Sequence, residues 1–268
     1  MLQNKTQGAA SIRKCLAVID AFTLAVPRLT LSEIAKAIKA PMPTVSRIVA
    51  VLCEEGFLEK NDDRTYQLGW KCCRMGAVFD AGMPIKTLAL PHMKKLRDAC
   101  NETVSLYLRR GIERICYEQV QSAHALKRIS VPGEIYPLWA GGTGKCFLAY
   151  MSADEIQAVK EAAPCAYQQR WVSVMKQAQL VRISGYSYSI AEREAGISSV
   201  AAPVFDFTGK PAACLTISGP SIRFTDELVS KIILAILNES RELSLSLGAS
   251  DAMVRFPVPA NFPHLQSL

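Results

Sequence analysis

Pro41 and Pro43 interrupt a stretch that reads as helix on both sides of them. A proline biases the residue before it away from α-helical angles, so a helix entering from Thr30 stops by Ala40 and the chain must turn. The next helix can begin at once, because both prolines then fall in a first turn, where backbone N–H groups have no intrahelical acceptor and a missing donor matters little. A short helix, a tight turn and a second helix are therefore required between Thr30 and Glu54.

The flanking residues extend this frame. Ile12, Cys15, Leu16, Ile19 and Phe22 recur at helical spacing and predict a first helix over 11–22 with one buried face. Thr30-Leu31-Ser32-Glu33 has the pattern of a capping box, in which Thr30 caps the second helix and Glu33 reaches back to the Thr30 N–H, with Ile34, Ala35 and Ile38 following on one face. In the third helix, 42–54, Val45, Ile48, Val49 and Leu52 form the buried stripe and leave Met42, Pro43, Thr44, Ser46, Arg47 and Ala50 facing outward. Gly56 ends it, and 57–60 and 65–68 read as strands joined by the polar turn Asn61-Asp62-Asp63-Arg64, a wing.

That outward set is small, polar and basic, which suits a recognition helix whose N-terminal side chains meet base edges in the major groove. Charge points the same way. The chain of 268 residues carries a formal net charge of +7, and residues 1–52 hold seven bases (Lys5, Arg13, Lys14, Arg28, Lys36, Lys39, Arg47) against Asp20 and Glu33. A protein-interaction domain is the competing reading, but apolar anchors would then be expected where Thr44, Ser46 and Arg47 stand. The segments SIRKCLAVIDAF, LTLSEIAKAI, PMPTVSRIVAVLCEEGFLEK and RTYQLG resemble the winged helix-turn-helix of the IclR family of bacterial transcriptional regulators over residues 11–70. Lys39 departs from that pattern, which usually has Gly in the turn, and Pro43 departs where a small polar residue is usual.

Beyond the wing, Cys72, Met75, Val78 and Phe79 make an apolar stripe on a predicted helix over 68–81 that is too short to be self-sufficient. It either packs back on its own winged helix or, as the resemblance implies, takes part in dimerisation. Gly82-Met83-Pro84 then opens a second domain. Its period predicts a helix over 88–100, alternating strand-like runs over 103–108, 114–118 and 126–131, a hairpin of 199–205 and 212–218 around Asp206-Phe207-Thr208-Gly209-Lys210, and a long helix over 223–247 begun by Thr225-Asp226. A sheet with helices on its flanks argues an α+β fold. The segments PLWAGGTGKCFLAYM and SSVAAPVFDFTGKPAACLTISGP resemble the IclR effector-binding domain, a GAF-like sheet that holds a small ligand, so the resemblance covers roughly 10–248. The expected organisation is a flexible arm (1–10), a winged helix-turn-helix (11–70), a linker helix (71–85), an α+β effector-binding domain (86–250) and a weakly ordered or disordered tail (251–268).

Ala140-Gly141-Gly142-Thr143-Gly144-Lys145 reads as a small-residue loop leading into a helix over 146–151. Unpaired N–H groups at a helix start can receive a carboxylate, and glycines allow close approach, so Gly141, Gly142 and Thr143 are candidates for holding an anionic effector; a loop that merely packs is the alternative. A phosphate-binding Walker loop does not fit, since Trp139 and Cys146 stand where it needs Gly and Ser or Thr. The resemblance implies that the effector also meets polar side chains on the following strands, here Ser189, Ser199, Thr216 and Ser218. Some family members place an acid or a cysteine at the positions of Ser189 and Ser199, so this pocket looks more neutral. Trp139, where a His is common, either walls the pocket or fills core space.

Other classes find little support. No run approaches the roughly 20 apolar residues of a membrane span. Nine cysteines without regular spacing (15, 53, 72, 73, 100, 116, 146, 165, 214) and an N-terminus without an apolar run suit a reduced, cytoplasmic chain, and Cys72-Cys73 alone does not make a metal site. His92, His124 and His264 come without a G-x-S-x-G elbow or an H-E-x-x-H pair, so no enzyme, metal or cofactor is expected, and His92 and His124 read as solvated. The reading is a ligand-responsive regulator that binds double-stranded operator DNA through helix 42–54 with Arg64 of the wing, senses a small organic acid, and works as a homodimer or dimer of dimers. The rival is a protein-interaction or small-molecule sensor that kept the fold without DNA binding.

Overall fold

The computed structural model describes residues 2–23, 25–82 and 85–256. The chain divides into two compact units, Met1–Pro84 and Ile85–Leu268.

The first unit contains α1 (Leu2–Asp20), β1 (Leu29–Thr30), α2 (Leu31–Ala37), α3 (Met42–Glu54), β2 (Leu58–Lys60), β3 (Thr65–Leu68) and α4 (Trp70–Ala81). The capping box forms as expected: the Glu33 N–H donates to Thr30 Oγ1, and the Thr30 N–H to Glu33 Oε2 at 2.8 Å. Val18, Phe22, Ile34, Val45, Val49, Leu52 and Leu58 close a small core. Helices α2 and α3 end alike. Lys39 and Gly56 take left-handed conformations (φ 51° and 72°), and the N–H of the next residue reaches back past them, Ala40 to Ala35 and Phe57 to Leu52. β1 was not anticipated; Leu29 and Thr30 pair with Tyr66 and Thr65, making the wing a three-stranded sheet in the order β1-β3-β2. α1 starts at Leu2, so residues read as a flexible arm belong to its first turns. Of its expected stripe only Phe22 is buried, beside Val18, which the spacing did not single out; Cys15 and Ile19 are half-buried and Ile12 and Leu16 exposed.

The second unit contains α5 (Ile85–Cys100), β4 (Thr103–Arg110), β5 (Glu113–Val120), β6 (Ile135–Pro137), α6 (Gly142–Leu148), α7 (Ala153–Ala162), α8 (Cys165–Gln169), α9 (Trp171–Ser184), β7 (Ser187–Ile190), β8 (Ile197–Phe205), β9 (Pro211–Pro220), a 3-10 turn (Ser221–Arg223), α10 (Asp226–Ser246) and α11 (Asp251–Val254). The six strands form one antiparallel sheet in the order β6-β5-β4-β9-β8-β7. Side chains alternate across it. Leu215 and Ile217 lie on the face covered by α5 and α10, whereas Cys214, Thr216 and Ser218 lie on the face approached by α6. The architecture is α+β.

Several local expectations are corrected. Residues 126–131 form no strand: the edge partner of β5 is β6, while Arg128 and Ser130 turn toward Glu194 and Tyr107 across the sheet face. The glycines of 141–144 are the start of a helix rather than a loop before one, because α6 begins at Gly142 with Gly141 at φ 81° as its cap. A Cβ on Gly144 would sit 2.1 Å from the Leu138 carbonyl, so that glycine is needed for close packing. His92 is not simply solvated, since its Nδ1 lies 2.6 Å from Glu239 Oε2 on α10, and His124 meets the Asn101 side chain. In the tail, Val254 is buried with Phe205 and Ala249, and Arg241 and Arg255 both hold Asp251. Met83, Pro84 and 257–268 lie outside the described residues.

Candidate functional site

The surface expected to meet DNA is built by the turn between α2 and α3. With Pro41 as N-cap and Pro43 in the first turn, α3 starts without a side-chain cap, and its Val45, Val49 and Leu52 face is buried. The opposite face carries Met42, Pro43, Ser46 and Arg47, all exposed, with Thr44 half-buried beside them. Arg64 sits apart from this helix, in the β2–β3 turn at φ 64°. Neither Arg47 nor Arg64 has a carboxylate within 4 Å among the described residues. Four acids of this unit are engaged locally: Glu33 caps α2, Asp63 accepts from Thr65, Glu55 pairs with Lys71, and Glu59 accepts the Trp70 N–H.

Helix α4 packs on its own unit along part of its length only. Its first turn packs on its own unit, with the Lys71 N–H on the Gly56 carbonyl and the Cys72 thiol on the Phe57 carbonyl. Further along, Met75 and Val78 remain exposed, Val78 at 69%.

In the second unit, all seven residues expected to hold an effector line a single cavity. Register explains why. Ser189 faces Ser199 across β7 and β8, and Ser199 faces Ser218 across β8 and β9, giving a row of three hydroxyls, while Thr216 lies two residues along on the same face. Helix α6 closes this face from above: Gly142 approaches Ala201 and Ser187 closely enough that a Cβ would lie 3.3 Å from the Ser187 carbonyl, and Thr143 Oγ1 bonds Thr216 Oγ1 at 2.8 Å. One of the backbone donors expected to receive the ligand is already engaged. The Gly141 N–H donates to Glu192 Oε2 at 3.3 Å, and the other Glu192 oxygen pairs with Lys145, whose side chain is nearly inaccessible. Trp139 does not line the cavity; it packs against the core formed with Phe147 and Trp171.

Residues that sequence reasoning missed change the electrostatics. Arg114, Arg128 and Arg193 also line the cavity, against a single carboxylate, Glu194. Arg114 comes from β5 and is 3% exposed; its guanidinium lies near the rings of Tyr107 and Tyr136, at 5.7 and 5.8 Å from the centroids, and its Nη1 donates to the Pro137 carbonyl. Arg193 lies over the Tyr136 ring at 4.4 Å. Arg128 pairs with Glu194 at 3.1 Å. Burial lowers the Arg114 pKa to about 10, so it stays charged at neutral pH. The same cause pushes Tyr107 upward, and its hydroxyl donates to Ser130 at 2.9 Å. The missed arginines fall in segments without a glycine or helix-start signal; alternation along β5 was the one clue that placed Arg114 beside inward-facing Cys116. The cavity is small, about 40 Å3.

Among the described residues there is no cluster suited to a metal ion and no helix long and apolar enough to cross a membrane.

Comparison with known proteins places both units. The IclR helix-turn-helix domain matches residues 11–62, and the C-terminal domain of bacterial IclR transcriptional regulators matches 80–245. The HTH-type transcriptional regulator KipR of Bacillus subtilis is 26% identical over 252 residues, covering 92% of this chain and 99% of its own. The HTH-type transcriptional repressor AllR of Escherichia coli is 25% identical over 254 residues, covering 90% and 92%. An IclR homolog from Microbacterium hydrocarbonoxydans, solved in complex with 4-hydroxybenzoate, shares the fold with a TM-score of 0.79 at 19% identity, covering 90% of this chain and all of the other.

Proposed function

The chain belongs to the IclR family of bacterial transcriptional regulators, and from that premise we propose how its residues divide the work of a DNA-binding regulator with a C-terminal effector domain. Helix α3 reads an operator in the major groove through Met42, Pro43, Thr44, Ser46 and Arg47, with Arg64 of the wing on the phosphate backbone. A small organic acid occupies the cavity of the second unit, held by the hydroxyls of Ser189, Ser199, Thr216 and Ser218 and by the α6 start at Gly142 and Thr143. The observation that carries this reading is the convergence of that hydroxyl row with three arginines in one partly closed cavity. The bound 4-hydroxybenzoate of the Microbacterium protein, itself an organic acid, supports the class of ligand.

The exposed apolar residues of α1 and α4, Ile12, Leu16, Met75 and Val78, support a homodimer, and a palindromic operator would match its two-fold symmetry. Dimers associating in pairs would give a tetramer. Nine unpaired cysteines suit the reducing cytoplasm in which an operator would be met. An effector alters operator binding only through unequal affinity for two arrangements of the DNA-reading units.

The test is a melting-temperature screen of the full chain against carboxylic acids and their neutral amides, followed by operator binding with each hit. Stabilisation by acids alone, with a matching change in operator affinity, is expected. Stabilisation by neutral compounds alone would overturn the anionic effector.

A further inference from the structure

Among the described residues the second unit buries one cation besides Arg114, and it has a carboxylate. Lys145, with a side chain 3% exposed, pairs with Glu192. The buried carboxylate of Glu102 is matched in the same way, by Arg223 through two hydrogen bonds, although the arginine side chain is 25% exposed. Arg114 is the exception. It is as buried as Lys145, has no carboxylate within 4 Å among the described residues, and its Nε, fully enclosed, has no hydrogen-bond partner. A buried guanidinium without a counter-ion is strongly unfavourable unless an anion completes it. Arg114 lines the cavity, and a Cβ on Gly141 would lie 3.6 Å from its Nη2, so a ligand reaching the α6 start also reaches Arg114.

The outer end of the cavity is arranged differently. Arg128 is held by Glu194, a carboxylate 47% exposed on the turn between β7 and β8. Glu194 occupies the position an incoming anion would take, and it can swing into water at little cost because it is half-solvated already. Arg193 stands next to it, 3.9 Å from the same carboxylate and from no other among the described residues. Three guanidinium groups against one carboxylate among the cavity-lining residues leave two positive charges unmatched.

We infer that Arg114 is the anion receptor at the closed end of this cavity, and that the effector is a small dicarboxylate, with one group on Arg114 and the other replacing Glu194 on Arg128. The inference rests on the proposal that this cavity takes an anionic effector and adds the number of charges and the residues that select them. A monocarboxylate would satisfy Arg114 but could not displace Glu194 without leaving the outer arginines short of charge.

The test uses the full chain and a panel of malonate, succinate, glutarate, adipate and phthalate, each beside its half-amide of equal length and single charge, with melting temperature and calorimetric affinity as readouts. At least one dicarboxylate should bind about tenfold or more tightly than its half-amide, in keeping with the strength of charge-assisted bidentate contacts. Arg114→Met should remove that binding, and Arg114→Lys, which keeps the charge and loses the fork, should recover only part of it. Glu194→Gln should tighten the dicarboxylate several-fold while leaving the half-amide unchanged, because the competitor for Arg128 is gone. Equal binding of half-amides and dicarboxylates, or no binding by any dicarboxylate of the panel, overturns the two-anion inference and leaves the anionic effector standing. Dicarboxylate binding unaltered in Arg114→Met overturns the role of Arg114. Binding of neutral diamides alone would overturn the underlying effector proposal as well.

Discussion

The carboxylate of Glu192 accepts the Gly141 N–H at 3.3 Å, so a side chain of the protein occupies a backbone donor that the glycine-rich segment offers to a ligand. Its second oxygen neutralises Lys145, which is buried in α6. The N–H groups left to a ligand are those of Gly142 and Thr143, in the first turn of α6, where no intrahelical acceptor is available.

Glu192→Gln tests this arrangement. The amide keeps the size of the carboxylate but strands the Lys145 ammonium without a counter-charge, and breaking one partner of a buried pair typically costs about 3–5 kcal/mol. Partial access of water to Glu192 places the expected loss at the lower end of that range. Urea unfolding monitored by tryptophan fluorescence measures it, and an unchanged midpoint would show that Lys145 finds another partner.

Lys39→Gly should stabilise the first unit. Lys39 and Gly56 close α2 and α3 with the same pair of backbone hydrogen bonds, but Lys39 holds φ at 51° with a Cβ in place. A left-handed L residue pays roughly 1–2 kcal/mol, part of which glycine returns through its freer unfolded chain, so a gain of about 0.5–1 kcal/mol is expected. Because Lys39 is exposed, thermal unfolding reads the backbone effect alone. A loss of stability would mean that its side chain has a compensating contact.

How far each part of the molecule was legible follows from where its signal lies. The helix-turn-helix could be read because its determinants are local: the capping box at Thr30 and Glu33, the Pro41–Pro43 break and the α3 stripe each span a few residues. The hydroxyl row was legible only through the family resemblance, and register aligns Ser189, Ser199 and Ser218. Arg114 was not, because what distinguishes it is the lack of a carboxylate around it, and that depends on every segment that folds over β5. The strand expected over 126–131 failed for a related reason. Its alternation is real, but Ser130 and Arg128 are drawn to Tyr107 and Glu194 across the sheet instead of to the β5 edge, which β6 takes.

Arg47→Ala should weaken operator binding by about 1–3 kcal/mol if Arg47 reads a base edge, with altered discrimination at one base pair. The side chain is exposed on α3, so melting temperature should not move. Fluorescence anisotropy on an operator fragment and single-base variants distinguishes the outcomes: uniform weakening across sequences would assign Arg47 to phosphate, and no weakening would remove it from the interface.

Val78→Asp should shift the chain toward monomer. Val78 is 69% exposed in the later turns of α4, beyond the part that packs on its own unit, and a carboxylate in an apolar interface would be desolvated without a partner. Sedimentation velocity at micromolar concentration should show dimer or larger for the wild type and a smaller species for the variant, with operator affinity reduced in step. A monomeric wild type would contradict the homodimer.

Arg114→Met separates a guanidinium kept for packing from one kept for a ligand. Burial lowers the Arg114 pKa to about 10, which means the folded state binds this proton less tightly than the unfolded chain does. The sign follows: the charged side chain opposes folding at every pH below about 10, and the opposition fades as pH rises from there toward the ordinary arginine range. At one pKa unit per 1.4 kcal/mol the penalty at pH 7 is roughly 3 kcal/mol. Loss of the Pro137 hydrogen bond and of the packing against Tyr107 and Tyr136 subtracts from the relief, leaving a net gain of about 1–2 kcal/mol for the methionine. Chemical unfolding without added ligand should therefore show a variant more stable than wild type, by a margin that is flat between pH 6 and 9. A dicarboxylate that stabilises the wild type should reverse the order, because only the arginine can use it. If the methionine instead destabilises the ligand-free chain, then Arg114 is already compensated by its aromatic neighbours and the Pro137 carbonyl, and its burial is a matter of structure alone.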